Sequence, residues 1–287
     1  MIQIIEQYTK AKSATAPSED GVVVTAFYAA VIDGATPKTD FRYPGGITPG
    51  QLAVQLLTEA IAQLPEDATA LEATRRLTAA LHQEGVRACD RPIASAILYS
   101  FHRHEVWMLG DCQYATLGPD GTLHRHTNQK RIDQLLAEWR RDIVTSYLNR
   151  GLMTVEEVAA NDPGRRIIQP HITRQVRYQN MDKAGGQGRE AGHPLAYCML
   201  DGEPIPEHFI RVEHIEPTVR ELILASDGYP ELCPTLSQTE ARLQELLARD
   251  PLCIGPLLGT KGVRPGCESF DDRSYLRLGF GPAKEGA

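Results

Sequence analysis

Short apolar runs bounded by glycine and aspartate alternate along this chain with segments of helical periodicity. Runs rich in β-branched and aromatic residues predict strands, which we place at residues 2–8, 22–32, 93–99, 105–109, 114–117, 208–215, 220–226 and 273–280. Apolar residues at helical spacing predict helices, which begin at Thr48-Pro49 and Val155, span 68–83 and 129–148, and follow a cap at Ser237. This order predicts two packed sheets flanked by helices, an α+β architecture.

The segment 129–148 shows the strongest helical periodicity. Its apolar stripe predicts a core-facing side made of Ile132, Leu135, Leu136, Trp139, Ile143, Tyr147 and Leu148. The other face carries Lys130, Arg131, Arg140 and Arg141, which we expect in solvent. Between residues 125 and 177 there are ten Lys or Arg and six Asp or Glu. This excess indicates either a solvated helix face or a basic lip that draws in a phosphorylated substrate.

Four predicted strands have carboxylates at their ends, in the motifs Asp33-Gly34, Gly110-Asp111, Ser226-Asp227-Gly228 and Asp271-Asp272. A single aspartate at the end of a strand commonly forms a turn. Four such carboxylates indicate a shared site for a hard divalent cation, because the positive charge offsets their mutual repulsion.

The order of these motifs resembles the protein phosphatase 2C family of metal-dependent serine/threonine phosphatases. The resemblance runs from about Ser18 to about Leu278 and also includes the acidic motif Ser18-Glu19-Asp20. Its most specific part is the apolar strand ending in Ser-Asp-Gly followed by Asp-Asp-x-Ser. The resemblance implies a four-layer α-β-β-α sandwich of two mainly antiparallel sheets flanked by helices. It also implies a phosphatase domain over residues 1–280 that contains a flap or insert at about 125–205.

By this resemblance the cofactors are two Mn²⁺ or Mg²⁺ ions, with a third position as an option. Asp33 bridges the two ions, the carbonyl of Gly34 binds one, and Asp227 and Asp271 hold the other, so these three aspartates form the catalytic centre. Asp20, with Glu19, acts largely through ordered waters, and Asp111 bears on the third, weaker position. The substrate implied is a phosphorylated protein, with a cognate kinase as a further partner.

Two departures from the family keep a second hypothesis open. Relatives commonly place an arginine shortly before the acidic motif to grip the phosphate, whereas Thr15-Ala16-Pro17 stands here and the nearest base is Lys12. The Gly-Asp-Ser turn of the family carries Cys112 in place of the serine. The main hypothesis is a phosphatase that uses metal-activated water, and the alternative is a weak or inactive module that binds a phosphoprotein or a regulatory partner. Nucleotide binding at Asp33 is disfavoured because no glycine-rich fingerprint follows that strand.

Composition excludes several other classes. The net charge of −7 argues against nucleic-acid binding, and the absence of a long apolar run or a signal-like N-terminus predicts no membrane partner. Six cysteines without Cys-x-x-Cys spacing predict free thiols in a reducing compartment, hence a cytoplasmic protein. We also expect a monomer, a mobile loop at 182–192 and a disordered tail at 281–287.

Overall fold

The computed structural model describes residues 2–181 and 193–281. The loop predicted at 182–192 lies outside the described residues, as does the predicted tail beyond residue 281. The strands are β1 (Ile2–Lys10), β2 (Asp20–Val24), β3 (Tyr28–Gly34), β4 (Ala94–Ser100), β5 (Glu105–Leu109), β6 (Gln113–Leu117), β7 (Leu123–His126), β8 (Arg211–His214), β9 (Glu221–Ala225) and β10 (Arg273–Phe280). The helices are α1 (Pro49–Ala62), α2 (Ala70–Leu81), α3 (Arg131–Asn149), α4 (Val155–Ala160), α5 (Pro163–Arg174) and α6 (Leu236–Arg249).

The ten strands form two five-stranded sheets. Sheet 1 has the order β1-β10-β9-β6-β7, and sheet 2 has the order β2-β3-β4-β5-β8. Every paired strand is antiparallel to its neighbour. The prediction of two mainly antiparallel sheets is therefore confirmed.

Side chains on the two faces of a strand pack against different layers of the fold. In β3, Val31 belongs to a core shared with Leu224 and Leu276 of sheet 1, whereas Ile32 faces the core formed with α1 and α2. Successive side chains of a strand point to opposite faces, so one strand serves both cores. The opposite face of sheet 1 packs against α6, as at Leu243. These contacts confirm the four-layer α-β-β-α sandwich.

Threonine caps begin four of the helices. Thr48, Thr69 and Thr154 each form a capping box with the residue three positions later, which satisfies two free backbone N–H groups at each helix start. The last helix is capped by Thr235, whose side chain accepts from the Gln238 N–H. It therefore begins earlier than the cap predicted at Ser237. Within the described residues, no helix has the length and apolarity needed to cross a bilayer.

The single strand predicted at 22–32 is wrong, because the segment forms two strands. The chain turns after Val24, where Thr25 Oγ1 accepts hydrogen bonds from the N–H groups of Phe27 (3.2 Å) and Tyr28 (2.9 Å). The strands on either side then pair with each other, with Val24 opposite Ala29. A threonine that bonds its own following backbone favours a turn over a continuous strand.

The sequence pattern also missed two elements, β7 and α5. Helix α5 contains two prolines, which usually signal a break in a helix. Pro163 lies in the first turn, where no backbone N–H is needed. Pro170 lies inside the helix, which nevertheless continues because Ile168 and Ile172 bury against Ile132 of α3. Tertiary packing overrides the local signal.

The buried face of α3 differs from the predicted stripe. Leu135 and Trp139 are 44% and 43% exposed, whereas Arg140 is fully buried. Burial follows every fourth residue, through Ile132, Leu136, Arg140 and Val144. The expectation that Arg140 lies in solvent is therefore wrong.

Arg140 joins three segments through its guanidinium. Its Nε donates to Asp162 Oδ2 at 2.7 Å, and its terminal nitrogens donate to the carbonyls of Leu252 (2.7 Å), Cys253 (3.0 Å) and Gly259 (3.0 Å). A buried arginine is stable only when its charge and donors are matched in this way.

Replacing Arg140 by methionine should lower the free energy of unfolding by about 3–5 kcal/mol, because Asp162 and three carbonyls lose their partner while the volume is nearly kept. Urea unfolding followed by circular dichroism measures the change. Arg141→Met is the matched control, since Arg141 is part-exposed and pairs with its neighbour Asp142, and it should shift stability by no more than about 0.5 kcal/mol. Equal effects of the two substitutions would contradict the assigned role of Arg140.

Candidate metal centre

Antiparallel pairing in sheet 2 brings three acidic strand ends to one edge. Asp20 at the start of β2 lies directly opposite Asp33 near the end of β3. Asp33 in turn pairs with Ser95 near the start of β4. The end of β5, at Leu109, pairs with Ala96 of the same strand β4, so Asp111 emerges at the same edge.

Sheet 1 delivers two further aspartates to this edge. Ala225 at the end of β9 pairs with Tyr275 near the start of β10 and with Gln113 at the start of β6. Asp227 follows the end of β9, and Asp271 precedes the start of β10. The two sheets therefore present their acidic ends side by side.

Three of the aspartates form a compact group, which we call the carboxylate trio. Asp33, Asp111 and Asp227 each offer a carboxylate oxygen, and these atoms all lie within 4.8 Å of one another. The side chains of Asp33 and Asp111 are partly buried, and that of Asp227 is exposed. A donor set made only of oxygen suits hard cations such as Mg²⁺ and Mn²⁺.

The trio is electrostatically strained. Burial, and then the charges of Asp20, Asp111 and Asp271, raise the pKa of Asp33 well above its usual range. The pKa of Asp227 is raised by the surrounding protein and then by Asp33. Because Asp227 is exposed to solvent, repulsion by the Asp33 carboxylate matters more than burial for the raised pKa of Asp227. A divalent cation between these oxygens would remove the repulsion.

Asp20 adds an oxygen that lacks a partner. Asp20 is 7% exposed. Burial raises the pKa of its carboxyl group well above the usual range, and the charges of Asp271 and Asp272 raise it further. Its Oδ2 atom is buried without a hydrogen bond to any described residue. Such an atom usually has a water or an ion as its partner, which fits the predicted action of Asp20 through ordered water.

Asp271 is held differently from the trio. Lys261 Nζ lies 2.6 Å from Asp271 Oδ2, and Lys12 Nζ lies 3.1 Å from Oδ1. Burial alone would raise the pKa of Asp271, but the two ammonium groups outweigh burial and hold it well below its usual range. Both lysines also lie within hydrogen-bond reach of Thr36 Oγ1. The structure thus brings Asp271 to the site but pairs it with lysines rather than with the trio.

A third lysine pairs with the trio itself. Lys130 Nζ lies 2.7 Å from Asp111 Oδ2 and 4.0 Å from Asp133, and it lies 5.4 Å from the centre of the Tyr197 ring. Burial lowers the pKa of Lys130, but the charges of Asp111 and Asp133 raise it by more than burial lowers it, so the ammonium group stays charged. The prediction that Lys130 belongs to a solvent-facing helix side is wrong, since its side chain is 13% exposed.

Asp272 positions the site and was not among the predicted site residues. Its side chain is 3% exposed and accepts the backbone N–H groups of Lys12 (2.7 Å) and Glu19 (2.9 Å). These bonds fasten the segment between β1 and β2 to the start of β10. The second aspartate of the Asp-Asp motif therefore places Lys12 and the acidic motif beside Asp271.

Gly34 occupies a position where only glycine fits. A Cβ atom there would clash with the backbone oxygens of Glu19 and Gly50, and the Gly34 N–H donates to the Glu19 carbonyl at 2.8 Å. This close backbone approach accounts for the Asp-Gly sequence. The role of the Gly34 carbonyl as a metal ligand stays a prediction.

The carboxylates open into a cavity of about 390 Å³. Asp111, Asp227 and Asp271 line it together with Lys130 and Lys261. Sequence reasoning missed both of these lysines. Lys261 lies in a Gly-Thr-Lys-Gly segment, where the glycines are a signal of close backbone packing, and Lys130 immediately precedes the first turn of α3.

No family model and no curated protein sequence matches this chain. Among solved structures, the serine/threonine phosphatase PstP/Ppp of Mycobacterium tuberculosis is 17% identical, with a TM-score of 0.48 over 97% of this chain and 98% of that one. Stp1 from Staphylococcus aureus is 12% identical, with a TM-score of 0.49 over 98% and 96%. The catalytic domain of PstP in complex with two manganese ions is 16% identical, with a TM-score of 0.45 over 97% of each chain.

Replacing Asp33 by asparagine should weaken Mn²⁺ binding by about 100-fold or more, because it removes a ligand where loss of an outer-shell partner alone commonly costs 10–100-fold. Isothermal titration calorimetry with MnCl₂ measures this. The same substitution removes a repelled charge, so it should raise the melting temperature in EDTA by about 2 °C. Asp120→Asn, at an exposed turn, should change neither quantity. Unchanged Mn²⁺ affinity in Asp33→Asn would exclude the trio as the metal site.

Proposed function

We propose that this protein is a metal-dependent phosphoprotein phosphatase that hydrolyses phosphoserine and phosphothreonine. The observation that carries the proposal is the carboxylate trio, whose oxygens lie within 4.8 Å of one another at the common edge of the two sheets. Ammonium groups of Lys12, Lys130 and Lys261 lie around it. Carboxylates that call for a divalent cation, next to several ammonium groups, suit a dianionic phosphate ester.

The residues present fit Mn²⁺ or Mg²⁺. The donors are oxygens, the trio repels itself, and the buried Oδ2 of Asp20 lacks a described partner. We propose Asp33, Asp111 and Asp227 as direct ligands, with Asp20 acting through water. Two ions and the bridging role of Asp33 are taken from the family resemblance. The participation of Asp271 in metal binding would require Lys12 and Lys261 to release it.

When bound, the cations would supply positive charge against the phosphate. They would also lower the pKa of a bound water, so that it ionises near neutral pH. The chain's own residues perform the other tasks. Asp33 and Asp227 keep their carboxylates at the edge of the sheets, where the cavity admits a substrate. Asp111 stays oriented through Lys130.

In this proposal, lysine side chains bind the substrate phosphate. Lys12 remains charged despite burial, because Asp271, Asp272 and Glu19 raise its pKa. Lys261 lies on the other side of Asp271. Lys261 also lines the cavity, where its ammonium group can bind phosphate oxygens in place of the forked arginine common in the family. An ammonium group is a looser phosphate ligand than a guanidinium group.

A second candidate is a phosphatase-fold module that binds a phosphoprotein with weak or no turnover. The pairing of Asp271 with two lysines favours it, since this pairing competes with metal binding at Asp271. In either case a phosphorylated protein is the partner, with a cognate kinase as its counterpart. We also propose that the protein acts as a monomer in the cytoplasm.

The purified protein should hydrolyse p-nitrophenyl phosphate and a phosphothreonine peptide when MnCl₂ is added, and lose this activity in EDTA. Asp227→Asn should lower kcat/KM by about 100-fold or more, because it removes a proposed ligand. Release of nitrophenol and of inorganic phosphate gives the rates.

Asp120→Asn is again the matched control and should retain the wild-type rate. Activity that survives EDTA would overturn the metal-dependent proposal. Phosphopeptide binding without turnover at saturating Mn²⁺ would replace it with the binding-module alternative.

A further inference from the structure

A second and larger cavity, of about 850 Å³, lies between α5 and the chain that links α6 to β10. One wall consists of Arg165, Arg166, Gln169, Pro170, Thr173 and Arg174, which recur at helical spacing and so form one face of α5. The opposite wall includes residues 261–264. We call this cavity the α5 cleft.

The α5 cleft is strongly basic. Arg165, Arg166 and Arg174 line one wall, and Lys261 and Arg264 line the other. Among the described lining residues the single acidic side chain is Asp162, whose charge is matched by buried Arg140. The wall charges therefore act on whatever enters the cleft, in a protein whose overall charge is −7.

These arginines lack acidic partners within the described parts of the chain. Arg166, Arg174 and Arg264 are exposed and form no salt bridge there. The guanidinium of Arg165 donates to the Thr260 carbonyl, at 3.0 Å, and forms no salt bridge among the described residues. Burial, and then Arg264 and Arg140, lower the pKa of Arg165 to about 10. The cations across the cleft thus repel one another, and a bound anion would relieve this repulsion.

The α5 cleft adjoins the metal centre. Lys261 lines both cavities, and its Nζ lies 2.6 Å from Asp271. Thr36 also lines the α5 cleft, and its Oγ1 lies within hydrogen-bond reach of Lys12 Nζ. A chain whose phosphorylated residue enters the metal centre can therefore continue into the cleft.

We propose that the α5 cleft binds an acidic polypeptide segment next to the phosphorylated residue, so that the protein selects phosphoproteins with aspartate or glutamate near the phosphate. This inference rests on the proposed function for the phosphate itself. Recognition of the acidic segment depends on Arg165, Arg166, Arg174 and Arg264, which lie outside the metal centre.

The dimensions suit a short extended segment. From Arg165 to Arg174 the helix rises about 13 Å at ~1.5 Å per residue. An extended chain covers about 3.3 Å per residue, so about four residues fit along this wall. Because successive side chains of an extended segment point to opposite sides, neighbouring acidic residues would reach arginines on the two walls.

A nucleic acid suits the cleft less well. Single strands bind through aromatic side chains on which the bases stack, and the described lining of the cleft contains none. It offers instead small apolar surfaces at Pro170 and Val263, which suit the carbon stems of a polypeptide.

Fluorescence anisotropy with a labelled, unphosphorylated peptide of about four aspartates tests the cleft without any turnover. In EDTA and at low salt, the wild-type protein should bind this peptide about tenfold more tightly than a serine peptide of equal length, and added salt should weaken the binding. Arg166→Glu/Arg264→Glu, with one change on each wall, should remove the preference. Arg166→Gln/Arg264→Gln should reduce it partly, and thermal melts establish that both variants fold.

Arg75→Glu/Arg76→Glu is the matched control, because both residues are exposed on α2 and the change in net charge is the same. It should keep the wild-type preference. Equal binding of the two peptides, or equal loss in the control, would overturn the proposal, as would tighter binding of a single-stranded oligonucleotide of equal charge.

Turnover separates this inference from the proposed function. The ratio of kcat/KM for phosphoserine peptides with aspartate and with serine neighbours should be about ten in the wild type and about one in Arg166→Glu/Arg264→Glu. Acidic-peptide binding without any hydrolysis would leave the cleft assigned and overturn the phosphatase proposal. Hydrolysis without a preference for acidic neighbours would support the phosphatase proposal and overturn the assignment of the cleft.

Discussion

Repulsion among carboxylates at the common edge of the two sheets is the constraint around which this protein is built. Carboxylate oxygens of Asp33, Asp111 and Asp227 lie within 4.8 Å of one another, and burial together with their mutual repulsion raises the pKa of Asp33 and Asp227. The middle parts of the strands are apolar and pack in the core between the two sheets, so they offer no charge that could offset this repulsion. The charge must be balanced from outside the sheets.

The balance comes from three lysines, each carried by a different connecting segment. Lys130 stands at the N-terminus of α3, Lys12 follows β1, and Lys261 lies in the link between α6 and β10. Lys12 and Lys261 both pair with Asp271, whereas the trio has Lys130 alone as a close salt-bridge partner among the described residues. The site is therefore divided into a part that calls for a divalent cation and a part already balanced by ammonium groups.

Local patterns predicted the layered fold and the acidic strand ends, because apolar runs, caps and Asp-Gly turns depend on near neighbours in sequence. The helix starts at Thr48-Pro49 and Val155 were predicted in this way. Pairing across the fold was not predictable. Nothing near Asp271 in sequence indicates Lys12, and Arg140 looks solvated until Asp162 and the carbonyls around it are placed. Antiparallel register decides which strand ends meet, and register depends on the whole sheet.

Stability and recognition are coupled through Arg140. Its guanidinium bonds to the carbonyls of Cys253 and Gly259, in the link that carries Lys261. It also pairs with Asp162, which caps α5 through the Arg165 N–H. One buried charge therefore joins the start of α5 to the link that forms the opposite wall of the α5 cleft and carries Lys261. Because an arginine costs free energy to bury, a hydrophobic residue would be the simpler choice if the two segments only had to pack. The ionic solution fixes their relative position through directional bonds, which is what a cleft adjoining a metal centre requires.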